Sequence, residues 1–189
     1  PILIDIENNN FNMKYDEIVK NLTKKTKGVI LVHLYGMVAD VKKIKEICQK
    51  NKIFLIEDCA QAHGAEFNGK KVGTFGDFGT FSFYPTKNLS TFGDAGAIIT
   101  NNSKLYKKAK LFREYGWIEK NVGILKSINR RMDEIHAAIL NVKLNYLNEN
   151  NKKREAIAKL YSDKIQNKDI ILPQAIAGTK NVFHLYVVI

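Results

Sequence analysis

One lysine stands apart from the other basic residues of this chain. Lys87 lies in the aromatic and nearly uncharged stretch Phe81-Ser-Phe-Tyr-Pro-Thr-Lys87-Asn-Leu89. An amine just past a strand in such surroundings is either an exposed turn residue or a group with a depressed pKa, as an imine-forming lysine requires. Asp58 bears on the choice, because it closes the strand-like run Ile53-Phe-Leu-Ile-Glu-Asp58. Pyridoxal 5'-phosphate chemistry needs an imine lysine together with a carboxylate that keeps the pyridine nitrogen protonated as an electron sink. Ser82, five residues before the lysine, supplies a hydroxyl suited to a phosphate.

Other chemistries fit less well. Gly73-Thr-Phe-Gly76-Asp-Phe-Gly79 resembles a glycine-rich phosphate loop, but a strand follows where the dinucleotide fingerprint needs a helix. No Gly-Lys-Ser/Thr exists for a nucleotide P-loop. Cys59 and His63 form a lone pair without second ligands at metal spacing, so no metal site is expected. Ser82 lies in no Gly-x-Ser-x-Gly elbow, which argues against a hydrolase triad.

The elements that must position these groups read as alternating strands and helices. Residues 29–35 are a short apolar run of the kind found in buried parallel strands. A helix follows, capped by Asp40, with Val41, Ile44, Ile47 and Cys48 on one face. With the strand at residues 53–56 this makes a βαβ unit, and parallel sheets bind ligands at the carboxyl ends of their strands. Further strands are predicted at residues 1–5, 78–84 and 97–100. Ser103 is expected to cap a helix carrying Leu105, Ala109 and Phe112 on one side. Later, Met132, Ile135, Ile139, Val142 and Tyr146 make one apolar stripe, and Leu140, Leu144 and Leu147 a second. The first stripe is expected to cover the sheet domain, leaving the second to need another partner. A further helix is predicted over 151–165, and residues 173–180 read as a connection.

The 189 residues are 45% hydrophobic and 26% charged, which suffices for a packed domain and excludes a disordered tail. Thirty Lys and Arg against 19 Asp and Glu give a net charge of +11. The lysines are spread along helices without a block of like charge, the pattern of a solvated face and not of a nucleic-acid footprint. No apolar run approaches the ~20 residues of a membrane helix, so no membrane insertion is expected. Two cysteines form no disulfide framework, which points to a reducing, cytoplasmic setting. Pro1 opens the chain without a signal pattern, and the chain stops inside the apolar run at residues 185–189; both ends look cut.

Several stretches together resemble the DegT/DnrJ/StrS family of sugar aminotransferases. They are Val32-His-Leu-Tyr-Gly36, Glu57-Asp-Cys-Ala-Gln-Ala-His-Gly64, Gly76-Asp77, the Phe81–Leu89 stretch, Gly93-Asp-Ala-Gly-Ala97, Arg113-Glu-Tyr-Gly-Trp117, Asn129-Arg-Arg-Met-Asp-Glu-Ile-His-Ala-Ala138 and His184-Leu-Tyr-Val-Val188. The resemblance runs through the whole chain in order. It implies an α/β protein with the PLP-dependent transferase (aspartate aminotransferase type I) fold, a mostly parallel sheet flanked by helices, incomplete here at both ends. Residues 1–130 would belong to the large cofactor-binding domain, 131–165 to interdomain and dimer helices, and 166–189 to the start of a small C-terminal domain.

Carried over residue by residue, the resemblance implies that Lys87 holds pyridoxal 5'-phosphate as an imine, Asp58 pairs with the pyridine nitrogen, and Gln61 hydrogen-bonds the ring hydroxyl. Ala60 would pack on one ring face, and Ser82 would bind the phosphate. Asn129 would reach the cofactor phosphate of a second subunit, since the active unit of the family is a homodimer. From the residues alone, Asn129 reads as an ordinary helix cap. The implied reaction moves an amino group from L-glutamate to a nucleotide-linked keto-sugar, of the dTDP-3-keto or 4-keto-6-deoxyhexose type, for cell-surface polysaccharide or aminosugar biosynthesis. A dehydratase relative would carry histidine at the lysine position. Ser90, Ala95, Ser127 and His136 depart from the residues usual in the family, beside the lysine loop and the dimer helix.

Overall fold

The computed structural model describes all residues from Pro1 to Ile189. Its elements run α1 (Tyr15–Asn21), β1 (Gly28–Val32), α2 (Val41–Lys50), β2 (Phe54–Asp58), β3 (Glu66–Phe67), β4 (Lys70–Lys71), β5 (Phe78–Ser82) and β6 (Gly96–Ile99). Then follow α3 (Ser103–Arg113), β7 (Trp117–Glu119), β8 (Val122–Gly123), α4 (Glu134–Leu144), α5 (Leu147–Lys164) and β9 (Thr179–Lys180).

The expected βαβ unit is present. In β1, Val29 and Leu31 face inward, and in β2, Leu55 and Glu57 do so. The helix α2 lays Val41, Ile44, Ile47 and Cys48 toward the body, and Asp40 caps it by accepting from the Lys43 N–H at 3.3 Å. The strands stand in the order β1-β2-β5-β6, with β2 parallel to both β1 and β5. The edge strand β6 runs antiparallel to β5. Residues 83–95 join them without a helix, and a parallel return needs a crossover.

Several expectations are corrected. Residues 1–5 form no strand: the only pairing nearby is an isolated bridge between Ile6 and Met13, and Leu3 is 92% exposed. No neighbouring strand offers that run an edge. The apolar run after β1 leaves the sheet at His33 and turns through a short 3-10 segment, Leu34–Gly36. The cap of α3 is Asn102, whose side chain accepts from the N–H groups of Lys104 and Leu105, and Ser103 is already helical. Within 173–180, Thr179 and Lys180 form β9 and pair with β3.

The two apolar stripes largely exchange roles. The chain breaks at residues 145–146 into two helices, and Leu140 of α4 and Leu147 of α5 are buried against Leu89, with Phe83 and Met132 beside them. Ile135, Val142 and Tyr146 instead face outward, at 68%, 62% and 56% exposure. The break rotates the start of α5, so a stripe projected along one continuous helix no longer stays on one side.

The sheet itself has a closed and an open face. Val29, Leu31 and Leu55 belong to the main core with Val38, Val41, Ile44, Cys48 and Val182. On the other face Ile30, Phe54, Ile56, Phe78, Thr80 and Ile98 line a groove of about 1410 Å³ flanked by α3. No helix is long and apolar enough to cross a membrane.

Candidate functional site

The site forms where β2 and β5 end. Asp58 pairs with Thr80, and Ser82 lies two residues further along β5. Side chains alternate along a strand, so Asp58 and Ser82 project from the same, open face, with Cα atoms about 8 Å apart by sheet geometry. The chain then leaves β2 sharply, because the Asp58 carboxylate accepts from the Ala60 N–H at 2.9 Å. This turn brings Ala60 and Gln61 to the strand end. The Gln61 side-chain oxygen accepts from the Tyr35 N–H at 2.6 Å, leaving its amide hydrogens free. The Asp58 Oδ2 has no partner.

Lys87 sits in the turn after β5, where its N–H donates to the Tyr84 carbonyl at 2.9 Å. Its side chain is half-buried and its amine makes no hydrogen bond or ion pair. The loop beyond it is clamped to α4. Lys143 Nζ donates to the Ser90 hydroxyl at 2.6 Å, and Thr91 Oγ1 and His136 Nδ1 are 2.8 Å apart. Ser90 and His136, two of the departures from the family pattern, are therefore both part of this clamp.

Asn129 is not drawn to this strand end within the chain. It is exposed, bridged to Glu114, and its side-chain oxygen accepts from the N–H and Nε of Arg131 at 3.1 and 3.2 Å.

Glu57 escaped the sequence reading. It is fully buried on the closed face and accepts from His33 Nε2 at 3.2 Å and from the backbone N–H groups of Gly73, Phe75 and Gly76 at 2.7 Å each. The Ala39 N–H donates to His33 Nδ1 at 3.2 Å, so the proton of this imidazole is on Nε2, facing Glu57. Burial pushes the Glu57 carboxyl up, but the donors from His33, Gly76 and Gly73 outweigh it and hold the group below its usual range. The glycine-rich stretch rejected as a phosphate loop thus cradles a carboxylate of the chain itself. With Cys59, this pair is compact enough to hold a metal ion. The Glu57 and His33 atoms are already hydrogen-bonded, however, and burial foremost pushes the Cys59 thiol far above its usual range.

His63 is also buried, between Phe81 and Phe83 with ring centroids 5.5 and 5.7 Å away, and neither ring nitrogen has a hydrogen-bond partner. Burial foremost, with the charges of Lys87 and His184, pushes its pKa down to about 4, so it is neutral at neutral pH. A histidine with no charge partner in sequence carries no signal of this kind.

The residues present fit pyridoxal 5'-phosphate. An unpartnered amine, an unpartnered carboxylate oxygen, a hydroxyl, a free side-chain amide and a small alanine surround one strand end. These are the donor types that an aldehyde, a pyridine nitrogen, a phosphate and a ring hydroxyl call for.

A parallel α/β sheet with this set at its carboxyl end defines the aminotransferase class. The chain matches the DegT/DnrJ/EryC1/StrS aminotransferase family over residues 1–189 and belongs to it. It is 44% identical over 188 residues to the dTDP-3-amino-3,6-dideoxy-alpha-D-galactopyranose transaminase of Aneurinibacillus thermoaerophilus, covering 100% of this chain and 52% of that one. Among solved structures, Streptomyces venezuelae DesV in complex with a ketimine intermediate superposes with a TM-score of 0.96 at 35% identity, covering 100% of this chain and 51% of that one. Bacillus subtilis NtdA with bound cofactor PMP gives 0.89 at 34% identity, covering 100% and 43%. The chain spans about half the length of the curated relatives it matches.

Proposed function

We propose that the whole protein containing this chain is a pyridoxal 5'-phosphate-dependent transaminase that moves an amino group from L-glutamate to a nucleotide-linked keto-sugar. The observation that carries this reading is the free amine of Lys87 beside the strand end that presents Asp58 and Ser82. When bound, the cofactor supplies the electron sink that stabilises negative charge at the reacting carbon. Lys87 holds it covalently and then, as a free amine, takes and returns the proton at the amino-bearing carbon of the substrate. Asp58 keeps the proton on the pyridine nitrogen. Gln61 donates to the ring hydroxyl, Ala60 leaves room for the ring, and Ser82 donates to the phosphate.

The similarity to the galactopyranose transaminase favours a dTDP-linked keto-6-deoxyhexose as acceptor. The outward stripe of Ile135, Val142 and Tyr146 on and just after α4 favours a second copy of the chain as its cover. That docking would carry Asn129, just ahead of α4, toward the cofactor phosphate of the partner. In this reading residues 1–130 serve the cofactor domain, 131–165 the dimer and interdomain helices, and 166–189 open a small domain. The cysteines, both buried and free, suit a cytoplasmic enzyme.

Borohydride reduction of the full-length protein with its cofactor, followed by peptide mapping, tests the reading. The pyridoxyl group is expected on Lys87. A label on Lys70 or Lys71 instead overturns it.

A further inference from the structure

Lys87 and the Asp58–Gln61 turn arrive at the site on separate stretches of chain, and something must set the distance between them. The structure shows a polar bridge that does so. The Asn88 amide donates to the Val182 carbonyl at 3.1 Å and to Asn151 Oδ1 at 3.0 Å. Asn151, buried near the start of α5, donates in turn to the His63 carbonyl at 2.8 Å. Each carbonyl can only accept, so the orientation of both side-chain amides follows from chemistry. Asn88 Oδ1 must then be the acceptor for His184 Nδ1, 3.1 Å away, and His184 carries its proton there.

The path from Lys87 runs through Asn88 and Asn151 to His63, two residues beyond Gln61. The turn is shaped for it: Gly64 has φ +86°, and a Cβ at that position would stand 2.9 Å from Asn151 Nδ2. Arg154 steadies the third arm by donating to the carbonyls of Phe183 and His184 at 3.4 and 3.3 Å. Burial foremost, with the charges of Lys87 and Arg154, lowers the pKa of His184, in keeping with a neutral ring that donates from Nδ1 alone.

We propose that Asn88 and Asn151 are positioning residues that fix the Lys87 amine relative to the Asp58–Gln61 turn, with His184 locking the Asn88 amide in place. The proposal rests on the role given to Lys87 above, and the test separates the two. Backbone hydrogen exchange is measured on the cofactor-free full-length protein, and the pH midpoint of the cofactor absorption band on the reconstituted one.

In Asn151→Ala, exchange across residues 83–91 is expected to quicken about tenfold while α2 is unchanged, because one buried partner of the bridge is gone. The band midpoint is expected to move by about one pH unit, and kcat to fall with little change in KM. Asn88→Ser, at a half-buried position, gives the same readings if Asn151→Ala does not fold. Exchange quickened equally throughout the chain, with the wild-type band midpoint retained, overturns the proposal in favour of a purely structural bridge. A wild-type protein without any cofactor band overturns the transaminase reading, and the exchange pattern then decides the bridge alone.

Discussion

Glu57 and Asp58 are consecutive carboxylates on one strand, and they face opposite sides of the sheet. Glu57 points into the closed face, where four donors satisfy it. Asp58 points to the open face with a single backbone donor, on Oδ1, and a spare oxygen. The same split separates His33, whose two nitrogens are both bonded, from Lys87, whose amine has no partner. Side chains with every hydrogen-bonding position filled hold the frame, and those with positions to spare are left for a ligand.

The largest effect expected from this contrast is on folding. Glu57→Ala strips a buried carboxylate from His33 and three backbone donors, and should cost about 3–5 kcal/mol in urea unfolding of the full-length protein. Asp58→Ala should cost under about 1 kcal/mol, since it breaks one partly buried turn bond. Similar losses for both would erase the contrast.

Acid should act through the same residue. The Glu57 pKa is lower in the folded chain than unfolded, so its contribution is present above the unfolded carboxyl range and lost as pH falls through the folded value. Unfolding free energy measured downward from about pH 5 should therefore drop more steeply in wild type than in Glu57→Gln.

A smaller effect distinguishes the two sides of α4. Leu140→Ala should cost about 2–3 kcal/mol, whereas Val142→Ala in the monomer should cost under about 1 kcal/mol. Val142→Asp should instead weaken self-association in sedimentation experiments. An unchanged association constant would remove α4 from the proposed dimer interface.

The legible part of the chain was the part governed by local pattern. The β1-α2-β2 unit follows from apolar runs and helical spacing, and Lys87, Asp58 and Ser82 stand out by type and setting. Glu57 was hidden because two acidic residues after an apolar run read as a strand end. Only strand alternation with Leu55, combined with the glycine-rich 73–79 stretch, pointed to a buried anion with a backbone cradle. The stripe exchange was hidden because one break at residues 145–146 decides which leucines face Leu89. The Asn88–Asn151 bridge spans 63 positions, and no local pattern encodes such a pairing.

The central claim is that Asp58 serves chemistry while its neighbour serves the fold. It is tested most directly by Asp58→Ala in the full-length protein, assayed for borohydride labelling and for glutamate-dependent transamination. The account predicts a folded protein that still takes the pyridoxyl label on Lys87 and has lost turnover by at least about a hundredfold. Wild-type turnover in Asp58→Ala would contradict it.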